Sequence, residues 1–148
     1  MVTLKETDKS QMERLLKIAY KDDVKGLAEC YFGEVDFSGA VQESLRSIDF
    51  VEAQTPLTYY EVLYENLPIG YFVFFKECLY SFCIAKSHRS KKGVLLELWT
   101  EMKKVLDDTF VHLVNKNNRT AVRFVQKMGM KVIDTKFEDK SLITFINI

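Results

Sequence analysis

Charge of one sign is what this sequence lacks first: 21 Lys and Arg residues stand against 21 Asp and Glu. With no overall field, the chain has no general attraction for nucleic acid or an anionic membrane, and no extended basic face marks a nucleic-acid binder. An anionic ligand must therefore be met by a local cluster. Long apolar runs are missing too. Stretches such as Tyr71–Phe75 fall far short of the ~20 residues that a membrane-spanning helix needs. The opening segment Met1–Glu6 has no apolar stretch and no cleavage pattern, so no signal peptide is expected. Cysteine and histidine are scarce. Cys30, Cys78 and Cys83 form no CxxC pair and no metal-ligand spacing with the two histidines. No carboxylates cluster beside them, so no metal site is expected. Three cysteines in apolar surroundings read as reduced, buried thiols of a cytoplasmic protein. No repeat, low-complexity tract or linker interrupts the chain, and residues 1–148 read as one domain.

What is present is a packed globule's composition, 47% apolar and 13% aromatic. Met12, Leu15, Leu16, Ala19 and Tyr20 recur at helical spacing, with Asp8 or Ser10 as N-cap. Val24, Leu27, Ala28 and Tyr31 continue that period up to Gly33. A second amphipathic stretch runs from Ser38 to about Ile48, and Phe50–Leu57, with Pro56, reads as a loop. Thr58–Tyr64, Gly70–Phe75 and Leu79–Ala85 then read as strands, joined by a turn at Asn66-Leu67-Pro68 and a hairpin tip at Lys76-Glu77. Connections this short make the three antiparallel.

The pattern changes after residue 85. A helix of about four turns carries Val94, Leu95, Leu98, Trp99, Met102, Val105 and Leu106 on its apolar positions. Thr109–Val114 is a buried strand, placed parallel to Leu79–Ala85 by the intervening helix. Arg119–Met128 is a helix stopped at Gly129, and Lys131–Phe137 and Leu142–Ile148 are strands joined by the polar turn 138–140. The apolar terminal strand is suited to pairing across a homodimer.

Two segments carry chemistry. Asn118 suits an N-cap, and the helix it opens ends at a glycine that turns into the next strand. The loop from Ile84 to Val94 collects Lys86, Arg89, Lys91 and Lys92 just before a helix N-terminus. Backbone N–H groups there bind phosphate without side-chain bulk, and the local cations add to it. That excess in a neutral protein is the sequence's best sign of an anionic ligand.

This element order resembles the GNAT N-acetyltransferase family over nearly the whole chain, with Asn118, Ala121, Val122, Lys127, Gly129 and Met130 at the family's spacing. The resemblance implies an α+β (mixed α/β) GNAT-like acyl-CoA N-acyltransferase fold. Its central, mostly antiparallel sheet would have six or seven strands flanked by about four helices. It also implies acetyl-CoA as acyl donor, an amine of unknown identity as acceptor, and an opening where the strands ending near Ala85 and Asn115 splay apart. Carried onto this chain, the cofactor-binding positions are Ile84, Lys86, Arg89, Ser90, Lys91, Lys92, Gly93, Val94 and Asn118.

The chain also departs from the pattern. The family's Arg/Gln-x-x-Gly-x-Gly/Ala loop finds no register here that restores both glycines. With Arg89 in the first position, Lys92 and Val94 take the glycine places; with Gly93 in the first glycine place, Ser90 and Leu95 fill the others. A tyrosine that protonates the departing thiolate in many members is replaced by Val125, beside Phe124. Tyr80, Tyr59 or Tyr60 are replacements within reach of a cleft, and Glu61 and His112 are candidate bases. The blander expectation for each is a solvent-side strand residue at Glu61, a buried, satisfied imidazole at His112 and a core thiol at Cys83. A rival to the enzyme is a protein of this fold that binds coenzyme A or a partner without catalysis.

Overall fold

The computed structural model describes residues 1–21, 23, 36–75, 78–106, 109–115, 117–133 and 142–147. Seven strands form one sheet: β1 (Val2–Thr7), β2 (Thr58–Tyr64), β3 (Leu67–Phe75), β4 (Cys78–Ile84), β5 (Val111–Asn115), β6 (Lys131–Ile133) and β7 (Leu142–Ile146). Their order across the sheet is β1-β2-β3-β4-β5-β7-β6, antiparallel everywhere except between β4 and β5. The described helices are α1 (Met12–Tyr20), α2 (Phe37–Glu52), α3 (Lys86–Arg89), α4 (Val94–Val105) and α5 (Arg119–Lys127), with a 3₁₀ turn at Lys9–Gln11.

The apolar periods identified in the sequence become two cores, one on each face of the sheet. Met12, Leu15, Leu16 and Ala19 of α1 meet Ala40, Val41 and Ile48 of α2 over Tyr59, Tyr71 and Val73. On the other face Leu98, Trp99 and Met102 of α4 and Val125 of α5 close over Val62, Phe72, Leu79, Ile84 and Phe145. Burying each Leu, Ile, Val, Met or Phe among these contributes roughly 1.5–3 kcal/mol, which holds the helices to the sheet. Caps set the helix starts. Asp36 accepts from the Gly39 amide at 2.7 Å, and Asn118 accepts from the Ala121 amide at 3.2 Å. Helix α5 ends at Gly129, whose φ is +90°.

Several expectations need correction. The N-terminal strand β1 was not legible: its six residues pair on one side only, at the sheet's edge, and Val2 is its one fully buried side chain. Helix α2 runs on through Phe50 and Val51 to Glu52, so the loop begins at Ala53. The turn before β3 sits at Glu65-Asn66, both at positive φ, and leaves Leu67 and Pro68 in the strand. Strand β7 lies between β5 and β6, paired to β5 along Leu142–Ile146 and to β6 at Thr144–Ile146. The helical period at Val24–Tyr31, Cys30, the Lys76-Glu77 tip and the 138–140 turn lie outside the described residues.

Candidate functional site

The sheet opens between its two parallel strands. β4 and β5 pair at Cys78↔Val111 and Leu79↔His112, and among the described residues at no rung beyond. Tyr80–Ile84 remains paired to β3 on its other side, but the side toward β5 is vacant of strand partners. Such a strand edge presents backbone N–H and C=O groups that want partners.

A β-bulge marks the same level. Val73 faces Ser81 and Phe74 faces Leu79, so Tyr80 is an extra residue in β4. The bulge turns two successive side chains to the α1/α2 face. The Tyr80 hydroxyl hydrogen-bonds Ser47 of α2, and Ser81 lies 3.1 Å from the Tyr71 hydroxyl. Tyr71 continues to Tyr20 at 3.2 Å and Tyr20 to Ser44 at 2.7 Å, so this buried face carries a chain of hydroxyls. Burial raises the pKa of Tyr80, and the Ser47 hydrogen bond only partly offsets it, so the phenol stays protonated at neutral pH.

The α4/α5 side of the opening is aromatic. The Phe82 ring lies 5.8 Å from the His112 ring and 6.3 Å from that of Phe124, which in turn stands edge-on to Trp99 at 5.6 Å. His112 is 7% exposed and its Nδ1 lies 2.8 Å from the Leu79 carbonyl. A carbonyl only accepts, so Nδ1 carries the hydrogen and Nε2 keeps its lone pair. Burial pushes this imidazole down to about 4, although the carbonyl bond favours the charged form. It is neutral at pH 7 and a poor general base there, as the reading of a buried, satisfied imidazole expects.

The cationic loop follows directly on β4. The Ala85 amide donates to the Ile69 carbonyl at 2.8 Å, and α3 then turns the chain toward Gly93. Gly93 has φ +84°, a left-handed conformation that disfavours any side chain, and it sets the start of α4. No side chain caps that start; the Val94 amide donates to the Lys91 carbonyl at 3.3 Å, and the helix N-terminus beyond it carries the positive end of the dipole. Lys91 places its ammonium 5.0 Å from the centre of the Tyr64 ring, and His88 meets the same ring edge-on at 5.5 Å. Arg89 turns the other way and pairs with Asp23 beyond the end of α1. Lys86 and Lys92 are exposed and have no carboxylate partner among the described residues. Ser90 donates to the Ser87 carbonyl at 3.3 Å.

Tyr80 and Ile84 thus lie on the stretch of β4 that has no β5 rung, His112 on the last rung of β5, and Asn118 just past the end of β5, while Lys86 to Val94 run from the end of β4 to the first residue of α4. Glu61 stands apart. It lies on β2, two strands from β4, is 8% exposed, and meets Arg14 of α1 at 3.3 Å. The burial of Glu61 corrects the expectation of a solvent-side strand residue. Val125 is wholly buried in the α4/α5 core. Cys83 packs among core residues of the α1 face, and burial pushes its thiol up to about 12. The sequence reading missed the bulge. Its signal is the spacing of the core-facing residues Leu79, Phe82 and Ile84, three then two, where an unbroken strand gives two and two.

No protein-family model matches the sequence, and no curated protein does. Solved structures do match in fold. An acetyltransferase from Thermus thermophilus superposes with a TM-score of 0.74 at 15% identity, covering 99% of this chain and 96% of that one. The PaiA N-acetyltransferase from Thermoplasma acidophilum, crystallised with coenzyme A, gives 0.68 at 19% identity, covering 99% and 98%. The aminoglycoside acetyltransferase AAC(6')-Ib with coenzyme A gives 0.68 at 17% identity, covering 99% and 93%. At these identities the likeness shows the fold, and it is the GNAT fold that the sequence led us to expect.

Proposed function

We propose that this protein is an N-acetyltransferase that takes the acetyl group of acetyl-CoA and transfers it directly to an amine. The observation that carries the reading is the parting of β4 from β5 after two rungs, level with the bulge at Tyr80. The acetyltransferases that share the fold over nearly their whole length, two of them crystallised with coenzyme A, support it.

In this reading the pantetheine arm takes the hydrogen bonds that Tyr80–Ile84 of β4 leaves open toward β5. The pyrophosphate sits at the first turn of α4, on the amides around Gly93 and the ammonium groups of Lys92 and Lys86. Asn118 at the head of α5 borders the same cleft. The amine nitrogen attacks the thioester carbonyl carbon. A C–N bond forms, the C–S bond breaks, and its electron pair leaves on sulfur. The amine's proton passes to solvent, because Glu61 is engaged by Arg14 and the His112 imidazole is too weak a base at pH 7. A thiolate whose conjugate thiol has a pKa of ~8.5 leaves without an obligatory acid. Tyr80, protonated and at the level of the bulge, is the donor placed to assist it.

A second reading, a coenzyme A-binding protein without turnover, is favoured by one observation. The α5 position expected to hold an acid is Val125, sealed in the core, with Phe124 beside it. Isothermal titration of acetyl-CoA, followed by a thiol-release assay over a panel of primary amines, separates the two. Micromolar binding with amine-dependent thiol release is expected of the enzyme. Binding without release across the panel leaves the second reading, and no binding at millimolar acetyl-CoA removes both.

A further inference from the structure

The cationic loop is fastened on two sides. His88 and Lys91 rest on the Tyr64 ring of β2. On the other side Arg89 ion-pairs with Asp23, which continues from α1 through a bond from its amide to the Tyr20 carbonyl at 3.2 Å. The pair sits beside the Cys83 thiol, where β4 meets α1. Two features turn Arg89 away from a ligand at the helix start. Its Nε is buried with no partner, so no phosphate oxygen reaches that donor in this arrangement. Its charge is already matched by a carboxylate whose side chain is 14% exposed, so a second anion would have to compete for it.

We infer that Arg89 is a positioning residue that acts through Asp23, locking the loop to the end of α1, and is not itself a ligand of the cofactor's phosphates. The inference rests on the acetyl-CoA reading for its binding assay, but the lock itself exists in the free protein. It gives the loop its shape before the ligand arrives. Lys92 and the first amides of α4 then meet the anion without a reorganisation cost at binding. The lock also joins the cofactor mouth to the α1 face, where Tyr80 and the hydroxyl chain lie.

The two roles differ in what Asp23 does. A phosphate ligand restrained by a carboxylate is released when that carboxylate is removed, and binds its anion better. A positioning residue loses its hold. The test is a double-mutant cycle on acetyl-CoA affinity in the full chain, with Asp23→Asn, Arg89→Gln and both together. The expected result is a loss of about three- to tenfold for each single variant and no further loss in the double. The charge-exchanged protein carrying Asp23→Arg and Arg89→Asp should recover at least part of that affinity, whereas Lys92→Ala should weaken binding additively with either variant. Weaker binding in Arg89→Gln with unchanged or tighter binding in Asp23→Asn overturns the inference and makes Arg89 a direct ligand.

Amide hydrogen exchange of residues 86–93 in the unliganded protein judges the lock independently. Faster exchange, by the same factor in both single variants, is expected. Unchanged exchange overturns the lock even if acetyl-CoA binds. If the wild-type chain fails to bind acetyl-CoA while the exchange result holds, the functional reading fails and the lock stands.

Discussion

The imidazole of His112 donates its Nδ1–H to the Leu79 carbonyl, 2.8 Å away, at the last rung that joins β4 to β5. A side chain thus takes a main-chain acceptor at the point where the two strands part. The bond needs no charge, and burial holds the group at about 4 against an ordinary 6.5. Between those values the unfolded chain binds a proton that the folded chain refuses. The stabilisation is therefore complete above pH 6.5 and is lost as the pH falls toward 4, by roughly 3 kcal/mol for a shift of this size. Urea unfolding of wild type and His112→Gln at pH 7.5 and 4.5 checks this. The wild type should lose roughly 2–3 kcal/mol more than the variant over that interval, and equal losses would show that His112 titrates normally.

Restoring a tyrosine on α5 should not restore an acid. Val125 is fully enclosed by the α4/α5 core, so Val125→Tyr adds a ring and a hydroxyl where there is space for neither. A cost of about 1–3 kcal/mol in stability is expected, with no gain in thiol release. Faster release in this variant would mean that position 125 faces the cleft.

In the proposed reaction Tyr80 is the donor to the departing sulfur. Its hydroxyl is held by Ser47 of α2 and kept protonated by burial. Tyr80→Phe should lower turnover about tenfold, at the modest end of what an acid contributes when the leaving group is already good, and leave acetyl-CoA affinity within twofold. Ser47→Ala frees the phenol without deleting it, so it should cost turnover less. Equal turnover in Tyr80→Phe and wild type removes Tyr80 from the chemistry.

Gly70 shows how closely β3 and β4 approach beside the opening. A Cβ there would stand 2.1 Å from the Cys83 carbonyl oxygen and 2.7 Å from the Ile84 Cα, both backbone atoms that cannot swing aside. Gly70→Ala should destabilise the protein by about 3 kcal/mol or more, read as a lower urea midpoint. A loss under about 1 kcal/mol would show that the strands separate freely there.

How much of this could be read beforehand follows from where each signal resides. Periods of apolar residues are local, so α4, α5 and strands β2 to β4 stood out within a residue or three of their observed ends, and α1 stood out without its stop at Tyr20. The parallel alignment of β5 followed from the length of the connection. Strand β1 did not stand out, because an edge strand buries little and its residues carry almost no alternation. The end of α2 was misjudged because Phe50, read as the start of a loop, is an exposed helical residue. Site residues divided in the same way. The basic loop and the Asn118 cap are sequence-local, and both stand where the sequence put them, ahead of α4 and α5. The engagement of Arg89 by Asp23, of Glu61 by Arg14 and of His112 by Leu79 joins residues 66, 47 and 33 positions apart, and no local pattern announces them.

The central claim, that the gap between β4 and β5 is an acetyl-CoA site, is tested most directly by following backbone amides by NMR during titration with acetyl-CoA. Saturable shifts are expected in Tyr80–Ile84, around Gly93 at the start of α4, and near Asn118. Strands β1 and β2 should stay unchanged. Shifts confined to any other surface, or none at millimolar acetyl-CoA, would contradict it.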